Sequence, residues 1–244
     1  LKHIPIYMTG KIHFAEQYRL FSDMFDHAVD LTPDDDYSLI QETVAVMDEF
    51  LQSQSISLSP FSLTITGKME RDGKKIGLGS SGSVVVVTIR AIASLFDVPL
   101  SADETFKLAA YVLLKRGDNG SMGDIACISY ENLVMYTSFD RNLIKEKMKN
   151  SSLSEIMNLE WGYKIEKIYC PEKLEFLVGW TGIPSISGKM IIEVKNSINK
   201  EFLEKSEEIV APAPKKRGRK PGSKNLPKTE NTEKETKARG RKPK

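Results

Sequence analysis

"KKIGLGSSGSVVVV", residues 74–87, constrains the fold more than any other stretch of this chain. Gly77, Gly79 and Gly82 alternate with Ser80, Ser81 and Ser83, and the run passes straight into four valines. A glycine-rich turn that opens directly into an apolar run predicts a loop followed by a buried helix, about 82–96, ended before Pro99. The first N–H groups of such a helix have no intrahelical acceptor, and the helix dipole adds positive potential, so the loop can hold an anion. The same residues also suit a glycine turn in which Ser80 or Ser81 merely caps the helix.

Three nucleotide-binding loops share this spelling, and the flanking residues exclude each of them. The dinucleotide fingerprint G-x-G-x-x-G needs an apolar strand ending at its first glycine, whereas "RDGKK" precedes this one. It also needs a helix and a strand before an acidic ribose ligand. Only 14 residues separate Gly82 from Asp97, enough for the helix alone. A protein kinase would add a lysine on the next strand and the H-R-D and D-F-G motifs, all absent. A Walker loop would read Gly-Lys-Ser/Thr where this chain reads Gly82-Ser83-Val84.

Around the loop, Phe21, Met24, Phe25 and Ala28 have helical spacing and predict a helix over about 15–29. Ile40, Val44, Met47 and Leu51 predict a second. Phe61, Leu63 and Ile65 alternate with polar residues as a half-buried strand does, and Asp72-Gly73 supplies a turn. Ser101 followed by Glu104 is a capping box for a helix over roughly 102–115. A second glycine-rich loop, "RGDNGSMGD" at 116–124, leads into a short helix and the strand-like "LVMYTSF". Residues 162–180 suggest two strands and 187–208 a long amphipathic helix. Helices and strands interleave without a regular βαβ repeat, which predicts an α+β layered fold.

"GLGSSGSVVV", "GSMGDIACISYENLVMYTSFDR" (120–141) and "LEFLVGWTGIP" (174–184), in this order, resemble the GHMP kinases. The second and third resemble the bacterial phosphomevalonate kinase branch of that superfamily. The resemblance covers roughly residues 10–209. It implies a GHMP kinase-like two-layer fold, incomplete, with a remnant of the ATP-binding N-terminal domain at 1–150. The start of the C-terminal domain would follow at 151–210 and a disordered tail at 211–244. ATP and Mg²⁺ are the implied cofactors, phosphomevalonate the implied substrate and its diphosphate the product.

Residue by residue, the resemblance puts Gly77, Gly79, Ser80, Ser81, Gly82 and Ser83 around the ATP phosphates, with Ser81 facing Mg²⁺. Asp124 takes the position of the catalytic aspartate, able to accept the proton of the attacking oxygen or to orient it. Read from its neighbours alone, Asp124 could equally be a helix N-cap. Trp180, Thr181, Ser185 and Ser187 fall on the acceptor side, although Trp180 also suits a core strand. The family's opening Pro-Gly-Lys strand and closing glycine-rich loop have no counterpart here, and helix 102–115 carries no carboxylate after Glu104 for Mg²⁺. The expectation is the middle of such a kinase, with open sheet edges and little turnover as it stands.

The chain's net charge of +2 hides an asymmetry. Residues 211–244 hold 13 Lys/Arg against three Glu, so the tail carries +10 and the other 210 residues −8. The tail has no aromatic residue and one large aliphatic, Leu226, which predicts disorder. Arg217-Gly218-Arg219 and Arg239-Gly240-Arg241, each followed by Lys-Pro, resemble AT-hooks, whose Arg-Gly-Arg enters a narrow A·T minor groove. The alternative function is therefore DNA binding through Arg217, Arg219, Arg239 and Arg241 beside an inert kinase remnant. A basic tail with no sequence preference suits the composition as well.

His3, His13 and His27 lack any partner pattern. Cys127 and Cys170 lack metal-ligand spacing, which predicts reduced thiols and a cytoplasmic protein. Val84–Phe96, the longest apolar stretch, is broken by Arg90 and too short to span a bilayer.

Overall fold

The computed structural model describes residues 7–68, 70–71 and 74–169, with isolated positions 171, 173, 194, 196 and 197. Every element below belongs to the first of two units, Leu1–Lys195. Of the second, Asn196–Lys244, the described residues are Asn196 and Ser197.

The architecture is α+β. Strands β1 (Met8–Phe14), β2 (Arg19–Ser22), β3 (Ala28–Val29) and β4 (Phe61–Gly67) form a sheet in the order β1-β4-β2-β3. Central β4 pairs antiparallel with β1 and parallel with β2. Its Phe61, Leu63 and Ile65 are fully buried, as their alternation predicts. The short pair β5 (Glu70–Arg71) and β6 (Lys74–Lys75) flanks the expected Asp72-Gly73 turn, whose two residues lie outside those described.

Helices α1 (Ser38–Ser53), α2 (Ser80–Leu95), α3 (Ala102–Lys115) and α4 (Gly123–Tyr130) pack together and meet that sheet chiefly through α2. Helix α2 is the hub, contacting β1, β4, α1, α3 and α4. Its approach to β1 is close enough to need glycine: a Cβ on Gly10 would lie 2.7 Å from Val87 Cγ1. Helix α3 starts at the expected capping box, with Ser101 accepting from the Glu104 N–H and Glu104 accepting from the Ser101 N–H. Beyond α4, β7 (Val134–Thr137) pairs antiparallel with β8 (Lys164–Lys167), and α5 (Arg141–Met148) and α6 (Leu153–Asn158) lie between them in sequence. Leu153, Ile156 and Trp161 join the same core, so packing continues past residue 150.

The helix expected over 15–29 is not there; β2 and β3 occupy it. Leu20 is fully buried beside Leu63 of β4, so pairing with the central strand decides the conformation over local spacing. Phe25 reaches the core by stacking on Tyr37, 5.0 Å between ring centroids. Of the two strands suggested for 162–180, β8 is described; residues 174–180 and most of the helix expected at 187–208 lie outside the described residues.

Candidate active site

The chain enters α2 through two glycines with positive φ, Gly77 at 83° and Gly79 at 75°. Gly79 is the N-cap, and no side chain caps the helix. Ser80 and Ser81 therefore do not act as caps, contrary to the simpler reading of the loop. The helical ladder begins with Ser83 N–H donating to Gly79 O at 2.9 Å. That leaves the N–H groups of Ser80, Ser81 and Gly82 directed out of the helix end, where an anion would meet them. The Ser80 and Ser81 hydroxyls have no protein partner among the described residues. Ser83 differs: it is buried, and its hydroxyl donates back to Gly79 O at 3.0 Å.

Asp124 stands against this loop. A Cβ on Gly79 would lie 3.0 Å from both Cβ and Oδ2 of Asp124, and one on Gly82 would lie 3.0 Å from Oδ2 and 2.7 Å from Ile125 Cγ2. Both glycines are thus needed for α4 to bring its carboxylate onto the start of α2. Asp124 sits in the first turn of α4, whose N-cap is Met122, so it is not the N-cap. Its side chain is exposed and receives no hydrogen bond from the described residues, leaving both oxygens available. Asp97, at the other end of the 16-residue α2, is separated from the loop by about 24 Å of helix.

Two neighbours complete the floor. The Tyr136 ring of β7 lies beneath Gly123, whose Cβ would be 3.7 Å from Cδ1. Burial raises the pKa of the Tyr136 phenol, and the Asp124 charge adds to it. Met122 holds φ 65° while almost fully buried. That conformation costs a non-glycine residue about 1–3 kcal/mol, offset here by packing of the side chain in the core.

On the other face of the loop, a recess of about 70 Å³ is lined by Met24, Phe25, Leu39, Asp36, Ser80 and Ser81 among others. Beside it, His27 lies 3.2 Å from Asp26 and 3.4 Å from Asp34. The bond to Asp26 chiefly raises its pKa above the usual histidine value. With Asp36, His27 and Asp34 present three ligand atoms within 4.8 Å of one another, the one such group among the described residues. Asp34 also accepts the N–H groups of Asp36 and Tyr37, which explains its place ahead of α1 without an ion.

Sequence reasoning paired the loop with Asp124 and missed Tyr136, Arg141 and this recess. Tyr136 and Arg141 stood inside the quoted motif 120–141 without an assigned role. The recess carries no sequence signal, because β2, α1 and α2 are far apart along the chain and meet there only in the fold. Trp180, Thr181, Ser185 and Ser187 lie outside the described residues, as do Arg217, Arg219, Arg239, Arg241, His3 and Cys170. Cys127 is a free, half-buried thiol, and His13 is exposed. No helix among the described residues is long and apolar enough to cross a membrane.

Residues 38–132 match the family model of the GHMP kinases N terminal domain. Among solved structures, the Streptococcus pneumoniae phosphomevalonate kinase in complex with phosphomevalonate and AMPPNP is 51% identical, with a TM-score of 0.75. That match covers 84% of this chain and 62% of the relative. A protein from Listeria innocua is 30% identical at a TM-score of 0.75, over 83% of this chain and 59% of that one. The phosphomevalonate kinase of Streptomyces sp. (strain CL190) is 26% identical over 156 residues, 64% of this chain and 42% of the relative. This chain therefore spans less than two thirds of the length of each of these relatives.

Proposed function

We propose, from the match of residues 38–132 to the GHMP kinases N terminal domain, that the chain serves ATP-dependent phosphorylation of phosphomevalonate to its diphosphate. The observation that carries this reading is the seating of the Asp124 carboxylate on Gly79 and Gly82, at the anion-binding start of α2. Phosphoryl transfer needs little covalent chemistry from a protein; it needs the donor phosphates held and the acceptor oxygen aimed in line. The free N–H groups of Ser80, Ser81 and Gly82 supply the first requirement. Asp124 supplies the second, by orienting the acceptor or taking its last proton.

Mg²⁺ suits this site because the exposed Ser81 hydroxyl is an uncommitted oxygen at the helix start. Ser81 would hold the ion together with phosphate oxygens and water, and the ion would neutralise charge on the phosphates. A coupled ADP-release assay tests the assignment on this chain and on a version extended by the relatives' flanking segments. ADP should form with phosphomevalonate and Mg²⁺. Equal rates with mevalonate or homoserine would sink the substrate assignment, and no ADP from the extended protein would sink the enzyme.

The repeated Arg-Gly-Arg-Lys-Pro favours a second, separate activity for residues 211–244, although none of the relatives supports DNA binding. If six to ten phosphates are contacted, duplex affinity should fall about 10³–10⁵-fold between roughly 50 and 200 mM salt. A minor-groove hook adds an A·T preference that persists as salt rises, and changing Arg219 and Arg241 to lysine should abolish it. Equal retention of A·T and G·C duplexes by the unaltered chain rejects the hook.

A further inference from the structure

We propose that Arg141 is the positioning residue of Asp124: from the start of α5 it fixes the loop that delivers the carboxylate to the phosphate site. This rests on the phosphotransferase reading above. The loop, residues 116–122, joins α3 to α4 and has no regular hydrogen-bond ladder of its own. Arg141 Nη1 donates to Asn119 O at 2.7 Å and also to Gly120 O. Two adjacent carbonyls that converge on one point repel each other as aligned dipoles. A guanidinium reverses that repulsion, because a charged donor binds both at once.

The arm that reaches them is itself rigid. Asp140 caps α5, accepting the N–H groups of Asn142 and Leu143. Phe139 is buried 4.8 Å from the Trp161 ring, and Ile144 is buried one turn into the helix. Only three residues separate Gly120 from Asp124. Within that span, Gly120 N–H is held by Asp118 Oδ1 at 2.5 Å, and Gly123 N–H by Ser121 Oγ at 3.3 Å. Gly120 is thus tied to the first turn of α4 by a short span whose one core anchor is Met122, and release of its carbonyl loosens the approach to the carboxylate. The charges of Arg141 and Asp124 both act on the Tyr136 hydroxyl, which agrees with their lying about one small region. The start of α2 shares none of these hydrogen bonds; it meets α4 through the packing of Asp124 and Ile125 on Gly79 and Gly82.

The test compares Arg141→Ala, Arg141→Lys, Asp124→Asn and the Arg141→Ala/Asp124→Asn double variant, by amide exchange on this chain and by kinetics on whichever form turns over. Arg141→Ala should speed exchange across 117–124 about tenfold or more and leave residues 80–95 unchanged. It should lower kcat about 10²-fold, the cost of roughly 1 Å of misplacement, with AMPPNP affinity and the KM for ATP within about threefold. Arg141→Lys, which keeps the charge and loses the planar fork, should recover part of both effects. Because Arg141 acts through Asp124, adding Arg141→Ala to Asp124→Asn should cost no further kcat. Unchanged exchange, unchanged kcat, or a full additional loss in the double variant would each overturn the proposal. Absence of turnover in the unaltered extended protein would instead reject the phosphotransferase reading, and exchange alone would still decide whether Arg141 holds the loop.

Discussion

Asp124→Asn is expected to lower turnover by about 10²–10⁴-fold while AMPPNP affinity and thermal stability stay at their original values. The exposed carboxylate accepts no hydrogen bond from the described residues, so the isosteric amide gives up no bond that holds the fold. It gives up charge and proton affinity alone. The pH profile then separates the two roles open to Asp124. A phosphate monoester loses its second proton near pH 6, so at about pH 7 the acceptor is mostly a dianion with no proton to remove. If Asp124 takes that proton, the deficit of Asp124→Asn widens as pH falls below about 6, where the monoanion predominates. If Asp124 orients the acceptor, the deficit is flat across that range. Near-normal kcat at every pH would reduce Asp124 to an ordinary first-turn helix residue.

The second large effect is on stability. Phe106→Ala should cost about 3–5 kcal/mol, read as a lower urea midpoint with an unchanged slope. Phe106 is fully buried on α3, with edge-on ring contacts to Tyr136 at 5.8 Å, Phe139 at 6.4 Å and Tyr163 at 4.8 Å. Two separate stretches of the chain, residues 136–139 and Tyr163, meet α3 on this one ring, so little can move in to fill the space it leaves. Tyr163 is also fixed from α3, its hydroxyl donating to Asp103 at 2.5 Å. A loss below about 1 kcal/mol would show that the cluster closes over the hole and that the aromatic floor beneath Gly123 is soft.

What the sequence made legible follows from range. The capping box of α3 and the glycine entry to α2 are written in residues that touch their neighbours in the chain, and both stand as expected. The 15–29 segment failed because Phe21, Met24, Phe25 and Ala28 mimic a helical face, whereas the partner that decides their conformation, β4, lies some 40 residues on. β1 gave no signal: in "MTGKIHF" the buried-side pattern is weak, because Gly10 rather than an apolar side chain faces α2. At the site, Asp124 was legible through its motif, but its contact with Gly79 and Gly82 was not. Sequence shows that a glycine is present; only packing shows that its missing side chain makes room for a carboxylate.

The strand order β1-β4-β2-β3 also says something about the order of events when the chain folds. Phe14 meets Phe61 across 46 intervening residues, and β2 reaches β4 in parallel only after α1 has crossed over. Such closures are slow compared with helix growth, because chain entropy is lost before any contact repays it. Helix α2 can form locally, yet its seat is the β1–β4 pair, with Gly10 beneath Val87. The phosphate site proposed for the start of α2 would therefore be completed by a non-local step, and α2 alone is expected not to bind nucleotide before the first strand has paired with the fourth.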